Sequence, residues 1–431
     1  MDNTAVLIHK RATSPEEKKS QRESPQQTDT IPDGGVLAWT QVFGSWILFF
    51  NTFGLINTFG IYQTFYETGQ LFKASSSDIS WIGSIQALTI LFVGALTGPV
   101  YDAGYLRTLL VVGSFGVVFG HMMLSLSHEY WQVLLAQGIT VGLGASCLFI
   151  PGIAVLPGYF SRHIGLAVGL AVSGSSFGGI IYPLVFYRLI DEIGFSWSVR
   201  VLGFMALGLL SIPVVCMRMR SRPSSRRALI DTSAFTDLSF IMFTAACVIG
   251  YCGLYVTIFY VSFYGESERI LSERMAFYLV PILNAASHLG RTVPNWLSDH
   301  FGPLNIMAPS AIIMGVLTFC FIGANYSAAL IALAVLYGIF SGVYLSLPGV
   351  VMVSITKDKS RIGTRIGMAF SFIGLGILAG GPGGGRILGS NPPSSNWERT
   401  WIYAGVCALV SGAIFVGLRF YRGGRRLMLK I

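Results

Sequence analysis

Few side chains in this sequence can do chemistry within its long apolar stretches, and Arg291 leads them. His288 lies three residues before it and Asn284 seven before. Spacings of three and four return to one face of a helix, so the three form a polar stripe. A guanidinium on such a stripe can grip a carboxylate through two parallel hydrogen bonds, and an imidazole beside it titrates near neutral pH. Two readings stay open for Arg291: an anion-binding residue in a cavity, or a member of a charge cluster with Asp299 at the membrane rim. His288 equally suits plain packing. Tyr251 and Tyr255, four apart, can stack on an aromatic substrate or simply pack at an interface. Catalytic groupings do not assemble. The six histidines (His9, His121, His128, His163, His288, His300) are scattered, whereas a membrane oxidase or desaturase needs them clustered around metal. The run Gly380–Gly385 lacks the Lys-Ser/Thr of a phosphate loop, so it reads as a bent end to an apolar helix. No metal, cofactor or enzymatic activity is expected.

The elements that must position these residues are membrane helices. Hydrophobic residues make up 53% of the 431 residues and charged residues only 11%. A soluble fold cannot cover its surface with so few charges. A spanning helix needs about 20 mostly apolar residues, and twelve stretches qualify. They are Ala38–Tyr62, Ser80–Val100, Leu106–Leu126, Trp131–Leu156, Ile164–Phe186 and Val199–Val215, then Leu238–Val261, Met275–Leu297, Ile306–Ala324, Ala328–Val353, Ile366–Ile387 and Thr400–Phe420. No ten-residue β alternation recurs, which argues against a barrel. The organisation expected is a disordered tail (1–37), a six-helix bundle (38–215), a linker (216–237), a second bundle (238–420) and a basic tail (421–431).

Charge sets the expected orientation. Of the 29 Lys and Arg, 21 fall on the side of the termini and seven on the other, with Arg291 inside a span. The positive-inside rule then puts both termini in the cytoplasm of a multi-pass cell-membrane protein. The net charge of +9 is thereby assigned to topology and the bilayer surface, and nucleic acid is not an expected partner.

The chain also repeats itself at an offset near 200 residues. Gly138–Gly142 followed by Pro151 answers Gly338–Gly342 followed by Pro348; Asp102 answers Asp299; Arg162 answers Arg361. The pairs Gly94/Gly98, Gly138/Gly142 and Gly338/Gly342 read as close helix crossings. At the rim, Gly98 permits close approach of a neighbour and Asp102 can pair with Arg107 or cap a turn. A latch holding the halves together on that side would comprise Gly98, Asp102, Arg107, Arg162, Asp299 and Arg361. Two parallel six-helix bundles with a site between them is the architecture of major facilitator transporters.

Six stretches carry a more specific likeness: Pro32–Trp39, Asn51–Gly60, Gly98–Tyr105, Gly158–Arg162, Gly290–Asp299 and Arg361–Met368. Together they resemble the monocarboxylate porter family of the major facilitator superfamily, in its fungal form. That family's animal members are proton-linked carriers of lactate-like acids, with a lysine in the first span and an aspartate and arginine one turn apart in the eighth. Arg291 occupies the arginine position, Ser287 the aspartate position, and Asn57 lies at about the lysine position. The resemblance implies an all-helical, gradient-driven carrier of an organic anion or small metabolite, with Asn57 facing substrate. Asn51 and Asn57 are six apart and are expected to point to different sides. Export of a secondary metabolite is one reading; proton-coupled uptake of a monocarboxylate or vitamin-like nutrient is the alternative, with protons then a partner. A transporter-derived nutrient sensor or a membrane enzyme is the competing class. Oligomeric state has no signature.

Overall fold

The apolar runs, punctuated by Gly, Pro and charged turns, fold into helices throughout. The computed structural model describes residues 33–220, 228–358, 361–389 and 394–424. Most of the tail expected over 1–37, residues 221–227 of the expected linker and the basic residues from 425 onward lie outside the described residues.

The described residues form twelve long helices. They are α1 (Val36–Glu67), α2 (Ser76–Asp102), α3 (Leu106–Leu124) and α4 (Tyr130–Gly158). Next comes one helical run, Ile164–Cys216, which turns at Gly194 with φ 71°. A side chain there would be strained, so glycine divides the run into α5 (164–193) and α6 (195–216). Then follow α7 (Leu238–Ser267), α8 (Glu273–Phe301), α9 (Pro303–Cys320), α10 (Ser327–Ile355), α11 (Ile362–Leu388) and α12 (Ser394–Gly423). All but α8 fall in runs long and apolar enough to cross a membrane. The exception follows from composition, because α8 carries Asn284, Ser287, His288, Arg291 and Asn295.

Packing obeys the internal repeat. In the first bundle α1 packs on α5, α2 on α4 and α3 on α6; in the second α7 packs on α11, α8 on α10 and α9 on α12. The bundles meet where α2 crosses α11, α5 crosses α8 and α1 crosses α7. Glycine makes these crossings close, as its spacing predicts. A Cβ on Gly142 would stand 3.0 Å from Thr89 of α2, and one on Gly342 would strike the Ser287 carbonyl of α8.

Two local expectations are corrected. α1 is not one straight helix: Thr52 takes φ −109° and ψ −81°, its hydroxyl donating to the Leu48 carbonyl at 2.9 Å. The break rotates the later turns of α1, so Asn51 and Asn57 both turn toward α5. Asn51 Oδ1 accepts from the Tyr182 hydroxyl at 2.5 Å, and Asn57 Nδ2 reaches the Ser175 carbonyl at 3.5 Å. The glycine run 380–385 is not a bent end either. α11 stays helical through it to Leu388, and Gly380 is needed because the Cys252 carbonyl of α7 lies against it.

The seam between the bundles is tighter on one side. A Cβ on Gly385 of α11 would lie 2.7 Å from Ser77 of α2; one on Gly374 would lie 3.0 Å from Leu88, and one on Gly367 3.4 Å from Ala95. The two helices therefore part toward the side of the chain termini. On the opposite, far side the seam is also hydrogen-bonded. The Tyr260 hydroxyl donates to the Ser76 carbonyl at 2.9 Å, and the Ser77 hydroxyl donates to the Pro382 carbonyl at 3.0 Å.

Candidate functional site

α5 and α8 run side by side across the seam, and small residues on α5 let the polar stripe of α8 approach. Asn284 lies against Gly179, His288 meets Phe177 edge-on at 5.1 Å, and Arg291 reaches Ser175. The three do share a face, and that face meets α5. Asn284 is fully enclosed there, its amide donating to the Val280 carbonyl at 3.0 Å. His288 is only partly covered, beside the exposed ring of Phe177. The structure therefore sets His288 toward the outer margin of the crossing and Arg291 at its buried side.

Arg291 is 3% exposed. Its guanidinium Nη1 donates to the Ser175 hydroxyl and its Nε donates to the Ser287 hydroxyl at 3.3 Å. Tyr251 and Tyr255 of α7 are its electrostatic neighbours from the other flank. Among the described residues no carboxylate lies within ion-pairing distance of it. Tyr251 and Tyr255 stack at 6.2 Å, and the Tyr255 hydroxyl is buried without a hydrogen-bond partner among the described residues. Asn57, 2% exposed, joins the group through Ser175, whose carbonyl it approaches and whose hydroxyl serves Arg291. One cation, four hydroxyls and one amide thus converge from α1, α5, α7 and α8. A buried Arg costs about 2.5–3.5 kcal/mol at mid-membrane depth, and hydroxyl dipoles compensate a charge less than an anion does.

A family model described as Major Facilitator Superfamily matches residues 41–295 and 289–426. The chain belongs to the major facilitator superfamily. It is a multi-pass membrane transporter of small molecules, not an enzyme by kinship. The MFS-type transporter dbaD of Emericella nidulans is 56% identical over 89% of this chain and 86% of its own length. The fujikurins efflux protein of Gibberella fujikuroi is 34% identical over 92% and 85% respectively. The aspyridones efflux protein apdF of Emericella nidulans is 34% identical over 84% and 74%. The solved nucleoside transporter NupG shares the fold at TM-score 0.69 and 14% identity, covering 89% of this chain and 99% of that one.

In this major facilitator protein the rim residues fall into place less uniformly than the repeat suggests. Gly98 and Asp102 are buried at the end of α2, and Arg107 is exposed on the first turn of α3. The Asp299 side chain lies outside the described residues. Arg162 contributes its backbone: with Ser161 and His163 it donates main-chain N–H groups to the Asp33 carboxylate at 2.8–3.2 Å. Arg361 bonds Asp231 at 3.0 Å, and Arg365 bonds Asp231 at 3.0 Å and Asp237 at 2.7 Å. Both contacts tie the start of a bundle's fifth helix to the segment leading into that bundle's first, so neither links one bundle to the other. Asp33 and Asp231 stand at equivalent places in the two halves. Sequence reasoning passed over Asp231, Asp237, Arg365 and Ser175. The near-200 offset from Asp33 would have found Asp231; Ser175 sits in a run of small residues and carries no signal of its own.

Proposed function

We propose that this transporter exports an acidic secondary metabolite by alternating access, with Arg291 holding the substrate anion at the seam. The observation that carries the reading is the burial of Arg291 among hydroxyls with no carboxylate beside it among the described residues. Tyr255 adds a buried hydroxyl with bonding capacity to spare, and Asn57 an amide on the opposite wall. A carboxylate or phenolate meets the planar fork of the guanidinium and accepts from these donors at once. Two relatives are named as efflux proteins for fungal metabolites, which favours export over nutrient uptake. The likeness to monocarboxylate porters in motif and in Arg291 supports an anionic cargo. Ser287 in place of the family's aspartate argues against that family's proton chemistry at this site.

The charge asymmetry of the loops supports cytoplasmic termini in a cell-surface membrane, with Asp102 and Arg107 at the cytoplasmic rim. Rocking of one bundle against the other then exposes Arg291 to each side in turn. Comparative metabolomics of cells and medium, with and without the gene, tests the reading. An acidic metabolite should accumulate in deleted cells and fall in the medium. Unchanged partitioning of every acidic metabolite between the two would sink it.

A further inference from the structure

A cavity of about 230 Å³ lies between the bundles on the terminal side of the seam. Its walls come from Leu91 and Ala95 of α2, the stretch from Phe149 to Pro157 of α4, the segment Ala228–Leu229, and the first turns of α11 as far as Phe370. The lining is apolar except for Thr364, whose hydroxyl donates to the Ala228 carbonyl at 2.8 Å. The cavity exists because α2 and α11 part there, and small residues line the opening. An engineered apolar cavity of about 150 Å³ accepts benzene, so the space here suits a two-ring or similarly bulky apolar group.

A ladder of packed side chains runs from the cavity wall to the polar site. Phe149 meets Phe370 at 5.9 Å across the bundles and Phe53 of α1 at 5.3 Å. Phe53 stands one turn before Asn57, which reaches Ser175 beside Arg291. We propose that this cavity is a second substrate subsite, holding the apolar body of an elongated amphipathic acid whose anionic end engages Arg291. The inference rests on the anion-binding reading of Arg291 and narrows the cargo to acids with a fused-ring or branched apolar body. Because opposing walls belong to opposing bundles, closure of the terminal side removes the space and displaces its occupant. That is the behaviour of a cargo site.

The test uses the purified full chain in nanodiscs and three probes: naphthoate, naphthyl-octanoate and the neutral naphthyl-octanamide. The long acid should bind at least about tenfold more tightly than naphthoate, because one molecule fills two linked subsites. In Ala154→Trp, which fills the cavity from α4, long and short acids should bind alike. Ile150→Ala enlarges the cavity and should raise affinity for an anthracenyl-octanoate above wild type, a gain that a misfolded protein cannot show. Arg291→Ala should erase the preference for the acid over the amide. Equal binding of long and short acids by the wild type, or a gain that survives Ala154→Trp, overturns the subsite. Competition by added phospholipid that releases the long acid identifies a lipid site and overturns it too. If instead Arg291→Ala keeps the acid preference while Ala154→Trp loses the gain, the cavity stands and the anion anchor falls.

Discussion

Arg291 and Asp231 show two ways of stabilising a charge in this protein. Arg291 has hydroxyl partners on α5 and α8 and tyrosines beside it, and under the proposed reading an incoming anion would complete its shell. Arg291→Lys should weaken binding of an acidic substrate strongly, because an ammonium cannot reproduce the two-pronged geometry. Arg291→Ala should weaken it to the level of a neutral analogue while surface expression stays near normal; substrate-dependent thermal stabilisation of purified protein separates binding from trafficking. Wild-type affinity in the alanine variant would place the arginine outside the site. Asp231 is already satisfied: the Ser233 hydroxyl, with Arg365 and Arg361, holds its carboxyl down to about 2. A carboxyl depressed in the folded state stabilises above its unfolded value of about 3.9 and loses that contribution as pH falls toward 2. Asp231→Asn should lower the melting temperature at pH 7, by about 2 kcal/mol of stability, and flatten its dependence on pH between about 4 and 2. A variant that melts like wild type at pH 7 would show the cluster to be ornamental.

At the scale of helices, the far-side seam is a contact between α2, α7 and α11 built on backbone carbonyls. Tyr260 donates to Ser76 of α2 and lies 3.3 Å from the Gly381 carbonyl of α11. The nearby Glu67 carboxylate accepts from Gln63 at 2.7 Å and from the Ser76 hydroxyl at 2.9 Å, closing a polar patch at the end of α1. Tyr260→Phe removes one net hydrogen bond of about 1 kcal/mol, which changes a two-state balance about fivefold. The far side should open more often, and a cysteine placed at Ser84 should react faster with a membrane-impermeant thiol reagent. An unchanged labelling rate would mean that the glycine-lined crossing holds the seam without Tyr260. Gly385→Val addresses that crossing directly. The added carbons meet the Ser77 backbone, which cannot yield as a flexible side chain would, so closure on the far side should be impaired and transport slowed, as measured in right-side-out vesicles.

For the whole molecule the first question is orientation. With 21 of 29 basic residues on the side of the termini, a cysteine at Ser267, exposed on the last residue of α7, should be labelled from outside intact cells. One at Ser161, exposed between α4 and α5, should be spared. The opposite pattern inverts the topology and, with it, the side of the membrane on which the tight end of the seam lies.

Membrane insertion, twelve spans and six-plus-six symmetry were legible in the chain itself, because apolar length and loop charge are local properties that need no partner. The polar stripe of α8 was legible for the same reason: helical spacing alone puts Asn284, His288 and Arg291 on one face. The surface that this face meets was not, since Ser175 and Gly179 are 116 and 105 residues away from Arg291 and Asn284 and become neighbours only when the bundles dock. The turn of Asn57 toward α5 depended on a backbone break at Thr52, which the surrounding apolar pattern does not encode. Small residues announced close crossings without saying which helices would cross. The apolar cavity had no trace in the sequence at all, because it is a gap left where α2 and α11 diverge. Local pattern decided what spans the membrane; the docking of two bundles decided which side chains share a site.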